Sequence, residues 1–299
     1  MSELTIGDRG IVGAKAKIDK YWTTDPIDSL RVRLGFSLAD VDTASTPGFD
    51  GKNKDSAEAL ATGARIFAHL QEMFFANSLD GDNRSVLLVL QAMDTAGKGG
   101  IVRHVVGAAD PQGVDHFAFK APTEEEREHD FLWRIRPHLP GPGRIGVFDR
   151  SHYEDVLIAR VRELAPAAEI EERYDVINRF EQELAGDGTT VVKVMLQISS
   201  GTQRERLSRR LGREDKYWKY NPGDVDERLR WPDYQDAYQV ALERTSTAAA
   251  PWFVVPADTK WYARLAVQHL LIDALARMDL SWPEADYSIA TEKARLAAS

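Results

Sequence analysis

The sequence predicts an α/β protein built on a parallel five-stranded sheet with helices on both faces. Five short apolar runs recur along the chain, and helical patterns separate them. The first, third and fourth runs are continuous rather than alternating, as is typical of strands buried on both faces. Alternating strands and helices favour a parallel sheet, because parallel neighbours require a crossover between them. With 43% hydrophobic residues in 299, the chain has enough apolar material for one large core.

The elements are assigned in chain order. Residues 1–56 contain many turn formers and are predicted to be an N-terminal extension, which leaves residues 57–299 for the α/β domain. Apolar residues at helical spacing predict a first helix over Ala57–Ser78. The predicted strands are Ser85–Met93, Asp115–Pro122, Arg144–Asp149, Thr189–Ser199 and Trp252–Asp258. Further helices are predicted over Glu124–Arg136, Glu171–Leu184 and Lys260–Met278.

The segment between the fourth and fifth strands is too long for a single crossover helix. It has about fifty residues, rich in arginine, lysine and aromatic side chains, and predicts a lid at about residues 200–240. Between Ser199 and Tyr220 it carries seven basic residues against three acidic ones, in a chain whose net charge is −9. Such a charge run is usually a solvated helix face, so its function depends on the neighbouring motifs.

Composition excludes several classes of protein. The net charge of −9 disfavours a nucleic-acid partner. No apolar run is long enough for a transmembrane helix, and the first ten residues, MSELTIGDRG, lack the pattern of a signal peptide. Cysteine is absent, and no histidine pair shows zinc-type spacing. We therefore expect a cytoplasmic protein that binds neither nucleic acid nor a membrane.

The strongest motif is the loop after the first strand, in VLLVLQAMDTAGKGGIVRHVV. A small-residue loop that enters a helix at about Gly99 points main-chain N–H groups at an anion, and Lys98 adds a full positive charge. The match to G-x-x-x-x-G-K-[ST] is incomplete, because Ala92 replaces the first glycine and Gly99 replaces the metal-binding hydroxyl. Asp94 is therefore the candidate metal ligand in the loop. The candidate phosphate-binding residues are Thr95, Ala96, Gly97, Gly99 and Gly100.

The second motif is RIGVFDRSHYEDVLIARV, in which a buried strand ends at Asp149. P-loop enzymes hold a Mg²⁺-binding carboxylate at this position. A strand that ends in aspartate is common on its own, and only the neighbouring phosphate loop favours a functional interpretation. We expect Asp94 and Asp149 to hold one or two Mg²⁺ ions, for which Mn²⁺ could substitute. Arg150 is expected to neutralise charge on the transferring group, and Glu154 follows in the same segment.

The third motif is FKAPTEEEREHDFLWRIRPHLP. Lys120 lies near the carboxyl end of the second predicted strand, where ligands bind in open α/β sheets. Thr123 is expected to cap the next helix, with Glu126 completing a capping box. Arg134 and Arg136 are two residues apart, so a helix would point them to different faces and only one would reach a ligand.

Read together, these segments resemble polyphosphate kinase family 2. The resemblance rests on LQAMDTAGKGG as a variant Walker A loop, FDRSHYEDVLIARV as a Walker B segment, and three further blocks in the family's order. Those blocks are FKAPTEEEREHDFLWR, RERLSRRL with KYWKYNPGD, and ERTSTAAAPWFVVPADTKWYARL. The resemblance as a whole spans residues 57–283. The resemblance implies a P-loop kinase-like fold with a helical lid, Mg²⁺, a polyphosphate donor, a nucleotide acceptor and a homo-oligomer, dimer or tetramer.

The resemblance also implies roles for individual residues. The residues expected to be catalytic are Asp94, Lys98, Asp149, Arg150, Glu154 and the lid arginines Arg206 and Arg210. Those expected to bind phosphate or nucleotide include Lys120, Arg134, Lys216 and Lys219. The chain departs from the family pattern twice: Gly99 replaces a usual aspartate, and Asp149 stands where the branch using nucleoside monophosphates often has asparagine. The choice between AMP and ADP therefore stays open.

The expected activity is reversible transfer of the terminal phosphoryl group of polyphosphate to AMP or ADP, giving ADP or ATP. One alternative is an ATP-dependent nucleotide kinase, although seven basic lid residues exceed what three phosphates require. Another is a regulator that binds nucleotide or polyphosphate without catalysis, which the missing loop hydroxyl favours. Retention of Asp94, Lys98, Asp149 and Arg150 argues against the second alternative.

Overall fold

A computed structural model describes residues 18–51 and 53–299. Its sheet has five parallel strands in the order β2-β3-β1-β4-β5. The strands are β1 Ser85–Gln91, β2 Val114–Ala118, β3 Ile145–Asp149, β4 Thr189–Gln197 and β5 Trp252–Pro256. The predicted fold class and all five strands are confirmed, with predicted strand ends that run up to four residues too far.

The strand β1 lies at the centre of the sheet, and all seven of its residues are buried. Alternate side chains enter opposite layers: Leu88 packs in one core and Leu87 in the other. In the register of the sheet, Leu90 pairs with Asp149 of β3. The loops after β1 and β3 therefore leave the sheet side by side at its carboxyl edge.

Helices cover both faces of the sheet. The α-helices are α1 Pro26–Leu30, α2 Asn53–Leu79, α3 Lys98–His104, α4 Glu124–Arg127, α5 Ile158–Val161, α6 Ala167–Gly186, α7 Ser200–Leu211, α8 Gly223–Leu229, α9 Trp231–Thr245, α10 Lys260–Ala276 and α11 Ile289–Ala297. Short 3₁₀ helices occur at Leu38–Asp40, Val106–Ala108, Pro111–Gly113, Arg136–His138, His152–Asp155 and Glu214–Lys219. Helices α2 and α10 pack on one face with Phe67 and Leu271, and α6 and α9 on the other with Ile177 and Ala241.

The predicted helix over Glu124–Arg136 is wrong. Thr123 and Glu126 form the expected capping box, but the helix stops at Arg127. The carboxylate of Asp130 then accepts a hydrogen bond from the main-chain N–H of Leu132 at 3.0 Å. An aspartate that binds its own backbone two residues ahead competes with a continuing helix, and here the turn prevails.

The described part of the N-terminal extension packs against the edge of the sheet. Arg31 forms an antiparallel bridge with Phe253, and the N–H of Val32 donates to the carbonyl of Trp252 at 2.8 Å. Leu30, Val32 and Leu38 are buried. This contact covers the outer edge of β5, an arrangement that protects a sheet from pairing with other chains. The segment MSELTIGDRG lies outside the described residues.

Among the helices of the described residues, none combines the length and the apolar character that crossing a lipid bilayer requires.

Candidate active site

The loop after β1 enters α3 with two residues in the left-handed region. Thr95 has φ 67° and Gly97 has φ 129°, so the chain turns sharply before the helix begins at Lys98. A side-chain carbon added at Gly97, Gly99 or Gly100 would meet no atom within 4 Å. The main chain of the loop therefore faces open space, as a phosphate-binding loop requires.

Lys98 lies across the base of this loop. Its Nζ donates to the carbonyl of Ala92 at 3.1 Å and lies 3.9 Å from Oδ1 of Asp149. Only 10% of its side chain is exposed. The predicted Walker A lysine and Walker B aspartate are thus brought together as an ion pair.

The segment after β3 is held in an equally unusual conformation. Arg150 has φ 65°, although it is not a glycine, and its N–H donates to the carbonyl of Leu90 at 3.0 Å. This backbone turn directs the guanidinium to Asp94, whose Oδ1 accepts a hydrogen bond at 2.9 Å. Four residues predicted from two separate motifs therefore meet at one edge of the sheet: Asp94, Lys98, Asp149 and Arg150.

Glu154 contributes a further carboxylate beside Arg150. Burial raises the pKa of Glu154 above its usual value, against the opposing effects of Arg150 and Lys98. The pKa of Arg150 is raised in turn, chiefly by Glu154 and with a further contribution from Asp94. Arg150 therefore keeps its positive charge at neutral pH.

A pocket of about 190 Å³ opens between the loop, the segment after β3 and the segment between β4 and β5 that the sequence predicts to be a lid. Its lining contains four carboxylate side chains and one guanidinium. The principal lining residues are Asp94, Arg150, Glu154, Asp224, Glu227, Tyr234 and Tyr238. The last four were not singled out by the sequence analysis. The sequence signal that could have found them was their position inside the insertion between the fourth and fifth strands.

Asp224, on α8, connects the predicted lid segment to this pocket. It is about nine-tenths buried, and its Oδ2 lies 3.3 Å from NH1 of Arg210. Burial raises the pKa of Asp224, Asp94 raises it further, and Arg210 and Arg150 oppose them. Arg210 also donates to the carbonyl of Lys219 at 3.0 Å, so this predicted lid arginine is held at the pocket rim.

Arg206, the other predicted lid arginine, lies behind the phosphate loop. One amino group donates to the carbonyls of Thr95 at 3.1 Å and Ala96 at 2.8 Å. The other donates to the carbonyls of Ala257 at 2.7 Å and Asp258 at 3.0 Å. Because only 8% of the residue is exposed, the structure places its guanidinium against the main chain of the loop rather than in the pocket.

The remaining predicted binding residues contact other partners. Lys120 is exposed, and its carbonyl accepts a hydrogen bond from the buried Arg134 at 3.0 Å. In the lid, Lys216 pairs with Asp215 at 3.0 Å, and Lys219 lies over the ring of Trp218. None of these cations forms an ion pair or hydrogen bond with Asp94 or Asp149 in the described structure.

The two aspartates suit a magnesium ion. Asp94 and Asp149 present carboxylate oxygens at the same sheet edge, each beside a cation. Mg²⁺ in phosphotransferases is commonly bound by one or two carboxylates, with phosphate oxygens and water as the other ligands. Within residues 18–51 and 53–299, no three Asp, Glu or His side chains are grouped closely enough to hold a metal ion by themselves.

Comparison with known proteins gives consistent matches. The family model for polyphosphate kinase 2 matches residues 51–283. The AMP/ADP-polyphosphate phosphotransferase of Meiothermus ruber is 42% identical over 249 residues, which are 83% of this chain and 92% of the relative. The crystal structure of polyphosphate kinase 2 from Arthrobacter aurescens TC1 is 57% identical, with a TM-score of 0.91 over 93% of this chain and 98% of that chain. The match of the family model over residues 51–283 and the identity to these relatives show that the chain belongs to the polyphosphate kinase 2 family.

Proposed function

We propose that the protein catalyses reversible, Mg²⁺-dependent transfer of the terminal phosphoryl group of inorganic polyphosphate to AMP or ADP. The observation that carries this proposal is the pairing of Asp94 with Arg150 and of Asp149 with Lys98 at the phosphate loop. Relatives named for the same donor support the choice of polyphosphate: those from Meiothermus ruber and Rhodopseudomonas palustris are AMP/ADP- and ADP-polyphosphate phosphotransferases. The relative from Rhodopseudomonas palustris is 41% identical over 239 residues, which are 76% of this chain and 81% of the relative.

A cluster of cations behind the loop supports a long polyanionic donor. Lys260 and Arg264 stand one turn apart at the start of α10, near Arg209 of the lid helix. Burial lowers the pKa of Lys260, and three neighbouring arginines (Arg206, Arg209 and Arg264) lower it further. The name basic surface is used below for the side chains of Arg103, Arg204, Arg209, Lys260 and Arg264.

The basic surface is largely without acidic partners. Among the described residues only Arg209 of this set forms an ion pair, with Glu205. Cations that repel one another without neutralisation attract a polyanion, and a chain of many phosphates can reach more of them than a triphosphate can. The basic surface therefore favours polyphosphate over ATP as the donor.

The charge of the pocket lining supports a role for a divalent cation. The four carboxylates of the lining outnumber the three arginines that pair with them (Arg150, Arg162 and Arg210), so the lining would repel an unaccompanied phosphate chain. When bound at Asp94 and Asp149, Mg²⁺ would supply the positive charge that lets donor and acceptor phosphates approach each other. Arg150 and Lys98, released from their carboxylate partners, are then available to phosphate oxygens.

The reaction needs little acid–base chemistry. The acceptor phosphate is already ionised at pH 7, so it attacks without a strong general base. The residues of the chain orient the two substrates in line and stabilise charge on the transferring group. Closure of the lid residues over the pocket excludes water that would otherwise hydrolyse the donor. Because one phosphoanhydride is exchanged for another, transfer in either direction is allowed.

The test is nucleotide formation from long-chain polyphosphate and Mg²⁺, with AMP, ADP, GMP and GDP offered separately. We expect ATP from AMP or ADP with the wild type, and loss of product with Lys98→Ala. Product from ADP or GDP but not from AMP or GMP would support transfer from polyphosphate and would restrict the acceptor to nucleoside diphosphates. Activity with ATP but not polyphosphate as donor would indicate a nucleotide kinase. Polyphosphate binding without transfer would indicate a regulator.

We further propose that the protein acts in the cytoplasm as a homo-oligomer, dimer or tetramer, as the family resemblance implies. Light scattering coupled to size exclusion tests the assembly. A mass equal to one chain of 33.5 kDa would contradict it.

A further inference from the structure

A buried polar network lies directly beneath the active segment. The 3₁₀ helix His152–Asp155 directs His152 and Tyr153 into the core, where both are fully buried. Arg150 and Glu154, on either side of them in sequence, line the pocket. Nε2 of His152 lies 3.2 Å from Oε1 of Glu181, and the hydroxyl of Tyr153 donates to the same oxygen at 2.8 Å. One carboxylate therefore holds both inward-facing residues.

The carboxylate of Glu181 is matched by a fully buried lysine. Nζ of Lys193 donates to Oε2 of Glu181 at 2.5 Å, to the hydroxyl of Tyr153 at 2.9 Å and to the carbonyl of Thr245 at 2.7 Å. These three acceptors match the three N–H groups of an ammonium. Burial lowers the pKa of Lys193, and Glu181 opposes that effect. Burial acts to raise the pKa of Glu181, but Lys193 and His152 outweigh it and hold the pKa below its usual value.

The network ties the active segment to four elements of the scaffold. Glu181 lies on α6, Lys193 on β4 and Thr245 on α9. From β5, Nε1 of Trp252 donates to Oγ1 of Thr245 at 2.9 Å. Within the described residues Nδ1 of His152 has no hydrogen-bond partner, so Glu181 provides the hydrogen bond to that ring, which also packs against Phe180.

Stability does not account for such a pair. Removing two charges from water is costly, and apolar residues of similar size usually stabilise a core as well or better. The network instead contacts His152 and Tyr153, which lie between the pocket residues Arg150 and Glu154 in sequence. Arg150 is a non-glycine residue at φ 65°, and such a residue keeps this conformation only when its surroundings fix it.

We infer that Glu181 and Lys193 are positioning residues for phosphoryl transfer, which hold His152 and Tyr153 and thereby fix Arg150 and Glu154 at the pocket. The inference rests on the proposed function. Neither residue touches substrate, because both are fully enclosed by the core. Their effect on the reaction passes through the backbone of the active segment.

Two double variants distinguish an effect on the placement of Arg150 and Glu154 from an effect on the stability of the fold. Glu181→Leu with Lys193→Met replaces the pair by apolar side chains and removes the acceptor for His152 and Tyr153. Glu181→Gln with Lys193→Met removes both charges but keeps an amide oxygen that can accept from Tyr153. Neither variant leaves an unpaired charge, but both remove the donor to the carbonyl of Thr245, and the Leu/Met variant also leaves Nε2 of His152 without a partner. We therefore expect both to unfold at a lower temperature than the wild type, the Leu/Met variant lowest, and both are assayed at a temperature at which they are folded.

Steady-state kinetics with polyphosphate and nucleotide then give the decisive readout. For the Leu/Met variant we expect kcat to fall about tenfold to a hundredfold, with KM for each substrate within twofold, because small misplacements of reacting groups have effects of this size. The Gln/Met variant should recover most of the rate. Wild-type kcat in a folded Leu/Met variant would overturn the inference, as would equal losses in both variants.

A single variant covers the case in which the double variants do not fold. Tyr153→Phe keeps the ring that packs against Trp252 and removes only the hydroxyl held by Glu181 and Lys193. We expect a severalfold lower kcat with unchanged KM, and an unchanged kcat would overturn the inference. If the wild type transfers phosphate from ATP and not from polyphosphate, the proposed function fails on its own, and the same comparisons are made with ATP as donor.

Discussion

Arg150 donates a hydrogen bond to Asp94 at 2.9 Å, so a proposed phosphate-binding cation and a proposed magnesium ligand neutralise each other. Lys98 and Asp149 form a second such ion pair, with 3.9 Å between Nζ and Oδ1. Both side chains of the first pair are partly exposed, and such ion pairs contribute little to stability. A magnesium–phosphate ligand can therefore replace both pairs at low cost, giving each carboxylate a metal and each cation a phosphate.

This exchange predicts a specific effect of Asp94→Asn. The variant loses one metal ligand, so we expect kcat to fall about 10² to 10³-fold, as for loss of a single charge-stabilising group. The Mg²⁺ concentration for half-maximal activity should rise as well. A Mg²⁺ titration of the initial rate measures both effects.

The matched control for that titration is Asp115→Asn. Asp115 also pairs with an arginine, Arg144 at 2.7 Å, but it lies on β2 and is absent from the pocket lining. We expect its rate and Mg²⁺ dependence to equal those of the wild type. Equal losses in the two variants would contradict a metal-binding role for Asp94.

The basic surface predicts a dependence on the length of the donor chain. Lys260→Gln with Arg264→Gln removes two cations that form no ion pair among the described residues, although Glu205 acts on Lys260 from a distance. We expect KM for long-chain polyphosphate to rise about tenfold, since each surface cation contributes roughly 1 kcal/mol or less. KM for a chain of a few phosphates should change less, and kcat should be unchanged.

The control replaces a cation elsewhere on the surface. Arg33→Gln removes an exposed arginine that pairs with Asp28 at 2.9 Å. Its KM values should equal those of the wild type at every chain length. A uniform rise in KM for short and long chains in the double variant would place the donor elsewhere.

The two lid arginines are predicted to differ. Arg206→Met leaves four main-chain carbonyls without their donor, so we expect a loss of about 3 kcal/mol in the free energy of unfolding, together with a lower kcat. Arg210→Met removes one ion pair, with the largely buried Asp224, and one hydrogen bond, to the carbonyl of Lys219, so we expect a lower kcat and a loss of about 1 kcal/mol in the free energy of unfolding, less than for Arg206→Met. Urea unfolding and steady-state kinetics on both variants test the contrast. A wild-type free energy of unfolding for Arg206→Met would show that its contacts to the loop are not maintained in solution.

The sequence was sufficient for the scaffold and for the residues at the strand ends. Continuous apolar runs such as that of β1 identify strands buried on both faces, and side chains that follow parallel strands must meet at one edge. Asp94 and Asp149 could be placed together on that basis.

Contacts between distant segments could not be predicted in this way. The clamp of Arg206 on Thr95 and Ala257 depends on how the lid helix packs, which no local pattern encodes. The same holds for the buried pair of Glu181 and Lys193, whose sequence positions suggest only an amphipathic helix and a strand. The false helix over Glu124–Arg136 has a local cause, because the turn at Asp130 outweighed helical periodicity.

Asp155 predicts how stability depends on pH. Burial raises its pKa from 3.8 to about 6, against the opposing effects of Arg173 and Arg134. The folded protein therefore favours the protonated carboxyl. The contribution of this protonated carboxyl to the free energy of unfolding is complete below about pH 4 and is lost as the pH rises through 6.

Asp155→Asn should remove this dependence, because an amide does not titrate. A shift of about two units corresponds to at most about 3 kcal/mol, which solvent at the partly exposed side chain reduces. We expect the difference in the free energy of unfolding between variant and wild type to move in favour of the variant from pH 4.5 to 7, and then to level off. A difference that stays constant across this range, measured by urea unfolding, would contradict the raised pKa. Because Asp155 shares its 3₁₀ helix with Glu154, a confirmed effect would mean that the protein tolerates a destabilising charge inside its active segment at neutral pH.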